Sequence, residues 1–80
     1  MYPNPSGGLF NLGYQLNEGE ELTVKIYDVN GKIIKQYQVV ANGFVQKLII
    51  DLEEIKYAPG LYLMEATAAG VKQTFKIIKR

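Results

Sequence analysis

Glycine, proline and asparagine residues interrupt this chain at intervals of roughly ten residues, and apolar and polar residues alternate between the interruptions. In segment 21–29, for example, Leu22, Val24 and Ile26 would share one face of a strand. No window of a dozen residues shows the 3.6-residue periodicity and end signals of a helix. The pattern predicts an all-β sandwich or barrel with six strands, at 9–16, 21–29, 32–40, 44–51, 61–68 and 71–79.

Short polar or glycine-containing segments predict the turns between these strands. Asn30-Gly31 and Asn42-Gly43 each lie between two strand-like segments, and Asn-Gly is the strongest hairpin signal because a type I′ turn needs positive φ at both central residues. Asn17 to Glu20 reads as a polar turn, and Ala69-Gly70 turns the chain into the last strand. Segment 53–59 is expected to be a connection between strands, with room for one helical turn.

The alternation also predicts which side chains form the core. For the third strand the inward face stays open, because Ile33, Tyr37 and Val39 on one face and Ile34 and Val40 on the other are all apolar. For the other strands the predicted inward residues are Phe10, Leu12, Tyr14, Leu16, Leu22, Val24, Ile26, Leu48, Ile50, Tyr62, Met64, Ala66, Phe75 and Ile77.

Composition argues against catalysis and against a charged ligand. The chain has no histidine and no cysteine, so it lacks the usual general base at neutral pH, the commonest metal ligand and any disulfide. Its net charge of +1 is not that of a nucleic-acid or anionic-membrane binder. No catalytic residue, cofactor or metal is predicted. Calcium at the Glu18 to Glu21 turn is the least excluded metal, but EF-hand spacing is missing.

No segment is apolar over the roughly 18–20 residues of a membrane span, and the first ten residues lack the features of a signal peptide. We therefore expect a single domain, 1–80, and for an exported protein we expect the signal peptide upstream in a longer parent. Positive charge is concentrated in the last predicted strand and the residue after it, at Lys72, Lys76, Lys79 and Arg80. Lysines there would protect an edge strand against pairing with other chains, or they would form a recognition surface.

Three blocks of sequence, in order, resemble one known family. Y-P-N-P-S-G-G-L-F at 2–10 is like its opening, and V-K-I-Y-D-V-N-G-K-I-I at 24–34 is like its central hairpin. G-L-Y at 60–62, then Gly70, then K-I-I-K at 76–79 are like its close. The blocks cover essentially the whole chain. The sequence resembles the type A C-terminal sorting domain of the type IX (Por) secretion system of Bacteroidetes.

The resemblance implies an Ig-like antiparallel β-sandwich of about six to seven short strands and a secretion signal that is not an enzyme. It implies that the outer-membrane secretion machinery takes an N-terminal passenger protein from the periplasm across the outer membrane. It also implies that a surface sortase-like peptidase then removes the domain, and that the passenger is released or attached at the cell surface.

The residues of the family motif have mainly structural interpretations. Gly31 would supply positive φ, Asp28 would accept backbone hydrogen bonds at the base of the hairpin, and Gly60 would form a tight corner before Tyr62. The prolines would hold the entry segment extended. The exposed basic last strand is the expected recognition surface. The motif positions are Pro3, Asn4, Pro5, Gly8, Tyr27, Asp28, Gly31, Lys32, Gly60, Tyr62 and Gly70.

Two alternatives stay open at the level of sequence. The six tyrosines would suit a carbohydrate-binding or adhesive β-sandwich appended to an extracellular enzyme, and a row of exposed tyrosines would favour that interpretation. A purely structural spacer is the other alternative, and its deletion would leave export intact.

Overall fold

The computed structural model describes residues 7–53 and 57–80 and shows six β-strands in that part of the chain. The expectations for Pro3, Asn4 and Pro5, and for a helical turn within segment 53–59, fall wholly or partly outside the described residues. The strands begin and end close to the predicted positions. They are β1 (Leu9–Gln15), β2 (Glu21–Tyr27), β3 (Ile33–Val40), β4 (Val45–Asp51), β5 (Gly60–Ala68) and β6 (Val71–Lys79).

The strands form two antiparallel sheets that face each other. One sheet contains β1 and β4, and the other has the order β3-β2-β5-β6. The architecture is therefore an all-β, Ig-like sandwich, as predicted. The predicted inward residues of β2, β5 and β6 all contribute to the core or pack against it. The buried core consists of Phe10, Leu12, Leu22, Val24, Ile26, Ile50, Leu52, Tyr57, Tyr62, Met64 and Ile77.

A bulge in β3 explains why that strand is apolar on both faces. Ile26 pairs with Lys35 while Tyr27 pairs with Ile33, so Ile34 is an extra residue on β3. The extra residue shifts the alternation by one position. As a result, Ile34, Tyr37 and Val39 pack against the core, whereas Ile33 and Val40 are exposed.

The turn after β2 differs from the predicted two-residue type I′ turn. Gly31 N–H donates to Asp28 O, and Asp28 N–H donates to Lys32 O, at 3.0 Å each. Gly31 has φ +82°, but Ala69 is the only described non-glycine residue with positive φ, so Asn30 does not supply it. The loop therefore has three residues, 29–31, and ends in a left-handed glycine. Three-residue loops of this type are the commonest hairpin connections after two-residue loops.

The other predicted Asn-Gly hairpin is wrong. Asn42-Gly43 connects β3 in one sheet to β4 in the other, and Asn42 Oδ1 accepts a bond from Phe44 N–H at 3.0 Å. A local turn of this kind changes the direction of the chain without making the flanking strands partners. Positive φ at both central residues occurs instead at Ala69-Gly70, with φ of +51° and +77°, in the hairpin that joins β5 to β6.

Gly31→Val is expected to lower the free energy of unfolding by more than about 1 kcal/mol, because a β-branched residue resists positive φ. No atom lies within 4 Å of a Cβ built on Gly31, so the loss would come from backbone strain alone. Gly31→Asn should cost less, because asparagine tolerates the left-handed region. Urea unfolding of both variants tests this expectation, and a neutral Gly31→Val would contradict the turn described here.

Candidate recognition surface

β6, which carries most of the predicted recognition residues, forms one edge of the four-stranded sheet. Lys72 and Lys76 pair with Thr67 and Leu63 of β5 and point away from the core, where both are exposed. Arg80 is exposed as well. Lys72 Nζ lies 3.9 Å from Glu65 Oε2, and its side chain is 62% exposed, so this ion pair contributes little to stability. Lys72, Lys76 and Arg80 thus present positive charge at a sheet edge.

Lys79 is not part of that exposed surface, contrary to the prediction. It lies on the same face of β6 as Ile77 and is only 7% exposed. Its Nζ donates a hydrogen bond to the backbone oxygen of Tyr57. Strand periodicity turns the side chain inward, its aliphatic part is covered and its ammonium group finds a buried acceptor. Lys79 therefore ties the end of β6 to the segment that precedes β5.

A second lysine ties the two sheets together on the β3 side. Lys35 Nζ donates to Asp51 O at 2.6 Å, and Asp51 N–H donates to the hydroxyl oxygen of Tyr37 at 3.0 Å. The same ammonium lies 5.6 Å from the ring centre of Tyr37 and 5.7 Å from that of Tyr57, within the range of a cation–π contact. Lys35 pairs with Ile26 and shares its face with Tyr37 and Val39, but the sequence left the inward face of this strand open and so did not single the lysine out.

Tyr62 anchors the corner at the start of β5. It is buried, and its hydroxyl donates to Ala58 O at 2.5 Å, an upstream backbone bond of the kind made by the tyrosine corner of Ig-like sandwiches. The pKa of Tyr62 is raised above its usual value, most strongly by burial and less by the nearby Asp28 and Tyr57. The hydroxyl therefore stays protonated at neutral pH and keeps this bond. Gly60, at φ +142°, forms the corner itself.

Asp28 and Gly8 also have roles that the structure makes visible. Asp28 Oδ1 accepts bonds from Asn30 N–H at 2.9 Å and Lys32 N–H at 3.0 Å, as expected for the base of the hairpin. Gly8 is buried at φ +136°, and a Cβ there would lie 2.8 Å from Glu53 Cα. Both residues shape the backbone rather than face a ligand.

The acids of the Glu18 to Glu21 turn do not form a metal site in the described structure. Glu20 Oε1 accepts a bond from Asn17 N–H at 3.2 Å, and Glu21 Oε2 accepts one from Gln38 Nε2 at 2.9 Å. Within residues 7–53 and 57–80, no group of three or more potential metal-ligating side chains comes together.

The five tyrosines within the described residues do not form the exposed row that a carbohydrate-binding platform would need. Tyr57 and Tyr62 are buried, and Tyr14, Tyr27 and Tyr37 are half-buried. Tyr14 and Tyr37 pack against the core, where tyrosine fills a partly buried surface. Four of the five described tyrosines therefore serve packing of the core.

Comparison with known protein families decides the classification. The sequence matches the family described as the secretion system C-terminal sorting domain over residues 1–80. The chain belongs to this family. No curated protein and no solved structure matches it.

As a type IX sorting domain, the chain acts as a C-terminal secretion signal that interacts with the secretion machinery and with a passenger. Its family directs proteins to the cell surface or the extracellular space. The described residues include no helix long and apolar enough to cross a membrane. Families of secretion signals are not normally catalytic.

Proposed function

We propose that this chain is the C-terminal domain of a larger secreted parent and carries its passenger from the periplasm across the outer membrane. A surface sortase-like peptidase then removes the domain, and the passenger is released or attached to lipopolysaccharide. The family match over residues 1–80 is the observation that carries this proposal. The closed sandwich supports it, because the motif residues Asp28, Gly60 and Tyr62 maintain a folded unit that machinery can recognise.

We further propose that the exposed cations of β6 and the residue after it take part in recognition. Lys72, Lys76 and Arg80 are exposed, whereas Lys79 is buried and bonded to Tyr57. Charge at an edge strand attracts a partner of opposite sign and also prevents pairing with other chains. Lys79 contributes indirectly, because it holds the strand that carries the other three.

The experiment fuses the chain to the C-terminus of a passenger that has its own signal peptide, in a host with a compatible type IX system. We expect passenger in the medium or on the cell surface, and a shorter form once the domain has been removed. Passenger that stays in the periplasm with the domain folded would contradict the proposal. Deletion of the domain should abolish export, whereas unchanged export would favour a structural spacer.

Lys72→Gln combined with Lys76→Gln and Arg80→Gln should lower export while the thermal unfolding curve stays in place. Exposed substitutions of this kind change stability by only about 0.5 kcal/mol each. Lys79 is left unchanged, since its replacement would remove a buried contact and confuse a folding defect with a recognition defect. If the cations only protect the edge, export should persist and the purified variant should self-associate more readily.

A further inference from the structure

The outward face of the four-stranded sheet carries an apolar end. Tyr27 of β2 pairs with Ile33 of β3 and with Leu63 of β5, so these three side chains form a row across three strands. Leu61 lies two residues before Leu63 on the same face and pairs with Ile78 of β6. The five side chains are neighbours across all four strands. We call them the apolar end.

The middle of that outward face is polar, as an outward sheet face normally is. The next row across the sheet contains Gln36, Lys25, Glu65 and Thr74, and the row after it contains Gln38, Thr23, Thr67 and Lys72. Apart from Val40, which pairs with Glu21 at the opposite end, the apolar side chains of this face are collected at one end. Ile33, Leu61 and Ile78 are 45%, 42% and 46% exposed, so three strands contribute accessible apolar side chains to this end, the kind of surface at which partners dock.

Positive charge borders the apolar end. Lys76 pairs directly with Leu63, Arg80 follows two residues after Ile78, and Lys32 precedes Ile33; all three cations are exposed. A complementary surface would be apolar at its centre and acidic at its rim.

We propose that the apolar end is the docking surface for a protein of the secretion machinery that presents an apolar, acid-rimmed patch. This inference rests on the proposed function and adds where on the domain the contact forms. Apolar side chains at the centre would supply affinity, and Lys76, Lys32 and Arg80 at the rim would supply orientation and encounter rate. The contribution of Lys76 to export would then depend on its position beside Leu63.

Ile33→Thr combined with Ile78→Thr tests the centre of this surface, measured as export of the passenger fusion. Threonine keeps the β-branched shape that strands favour, so the unfolding midpoint should hold while export falls by about tenfold or more. The matched control is Val45→Thr with Ile49→Thr. These residues are 76% and 54% exposed and lie in the other sheet, and their replacement should leave export unchanged.

Charge reversal tests the rim without touching an apolar residue. Lys76→Glu should lower export by more than Lys76→Gln does, because an acidic partner would repel the new carboxylate. Lys47→Glu, at an exposed position in β4, is the control and should export normally. If the isoleucine variant unfolds, this pair of charge variants still decides the question.

The outcomes separate this inference from the proposed function. If the unaltered fusion stays in the periplasm, the proposed function fails. If the unaltered fusion is exported and the isoleucine variant is exported equally well, only the docking surface is overturned. It is also overturned if the purified domain forms dimers, or binds vesicles of anionic lipid, through the apolar end. The first result would identify a second copy of the chain as the occupant, and the second a membrane.

Discussion

Tyr62→Ala is expected to lower the free energy of unfolding by about 2–5 kcal/mol, the range for removing a packed aromatic side chain from a core. The variant loses the buried ring and also the bond from the hydroxyl to Ala58 O. The corner that leads into β5 would lose its anchor, since Tyr57 and Ala58 lie in the segment held there. Denaturant unfolding at equilibrium gives the measurement.

Two control variants separate the contribution of the hydroxyl from that of the ring and compare the two faces of the sheet. Tyr62→Phe keeps the ring and removes only the hydroxyl, so it should cost about 1 kcal/mol. Tyr27→Ala removes a half-buried ring from the outward face of the sheet and should cost less than Tyr62→Ala. Equal losses at Tyr27 and Tyr62 would show that the two faces of the sheet have been assigned wrongly.

Gly8→Ala should also destabilise the domain by about 2–5 kcal/mol, through backbone strain and a steric clash that act together. The backbone at Gly8 has φ +136°, which L side chains rarely adopt. An alanine Cβ would also lie 2.8 Å from the backbone of Glu53 and 2.9 Å from that of Leu52. Backbone atoms cannot rotate away, so the junction of β1 with the end of β4 would have to open.

Gly13→Ala in the same strand provides the matched control for Gly8→Ala. A Cβ at Gly13 has nothing within 4 Å and the residue is exposed, so the substitution should be neutral or slightly stabilising. Thermal and urea unfolding of both variants decide the matter. A neutral Gly8→Ala would mean that Gly8 O and Leu52 N–H, 2.7 Å apart here, do not meet this closely in solution.

The strands and their faces could be predicted from the sequence because burial imposes a two-residue period on each of them. Leu22, Val24 and Ile26 are buried as the alternation predicts. The partners of the strands could not be predicted in the same way. A turn signal such as Asn42-Gly43 reports only the local backbone, whereas the pairing of β4 with β1 depends on contacts between residues 30 to 42 positions apart.

The orientations of the predicted recognition residues could also be predicted only in part. Lys72 and Lys76 lie outward, as strand alternation predicts, and the same alternation places Lys79 beside Ile77 on the buried face. The signal was present, but a lysine near the end of a chain suggests a solvated side chain more readily than a buried one. The apolar end could not be read from the sequence, because its five residues come from four strands whose register only the structure provides.

The unequal size of the two sheets has a consequence for how the domain assembles. The four-stranded sheet contains two hairpins between consecutive strands, β2-β3 and β5-β6, whereas the two-stranded sheet contains only the distant pair β1 and β4. Local hairpins close quickly, and a pair joined through a long loop must first overcome a larger loss of chain entropy. The two hairpins would therefore form first, and the pairings of β2 with β5 and of β1 with β4, which both join residues 30 or more positions apart, would be the slow steps that complete the sandwich.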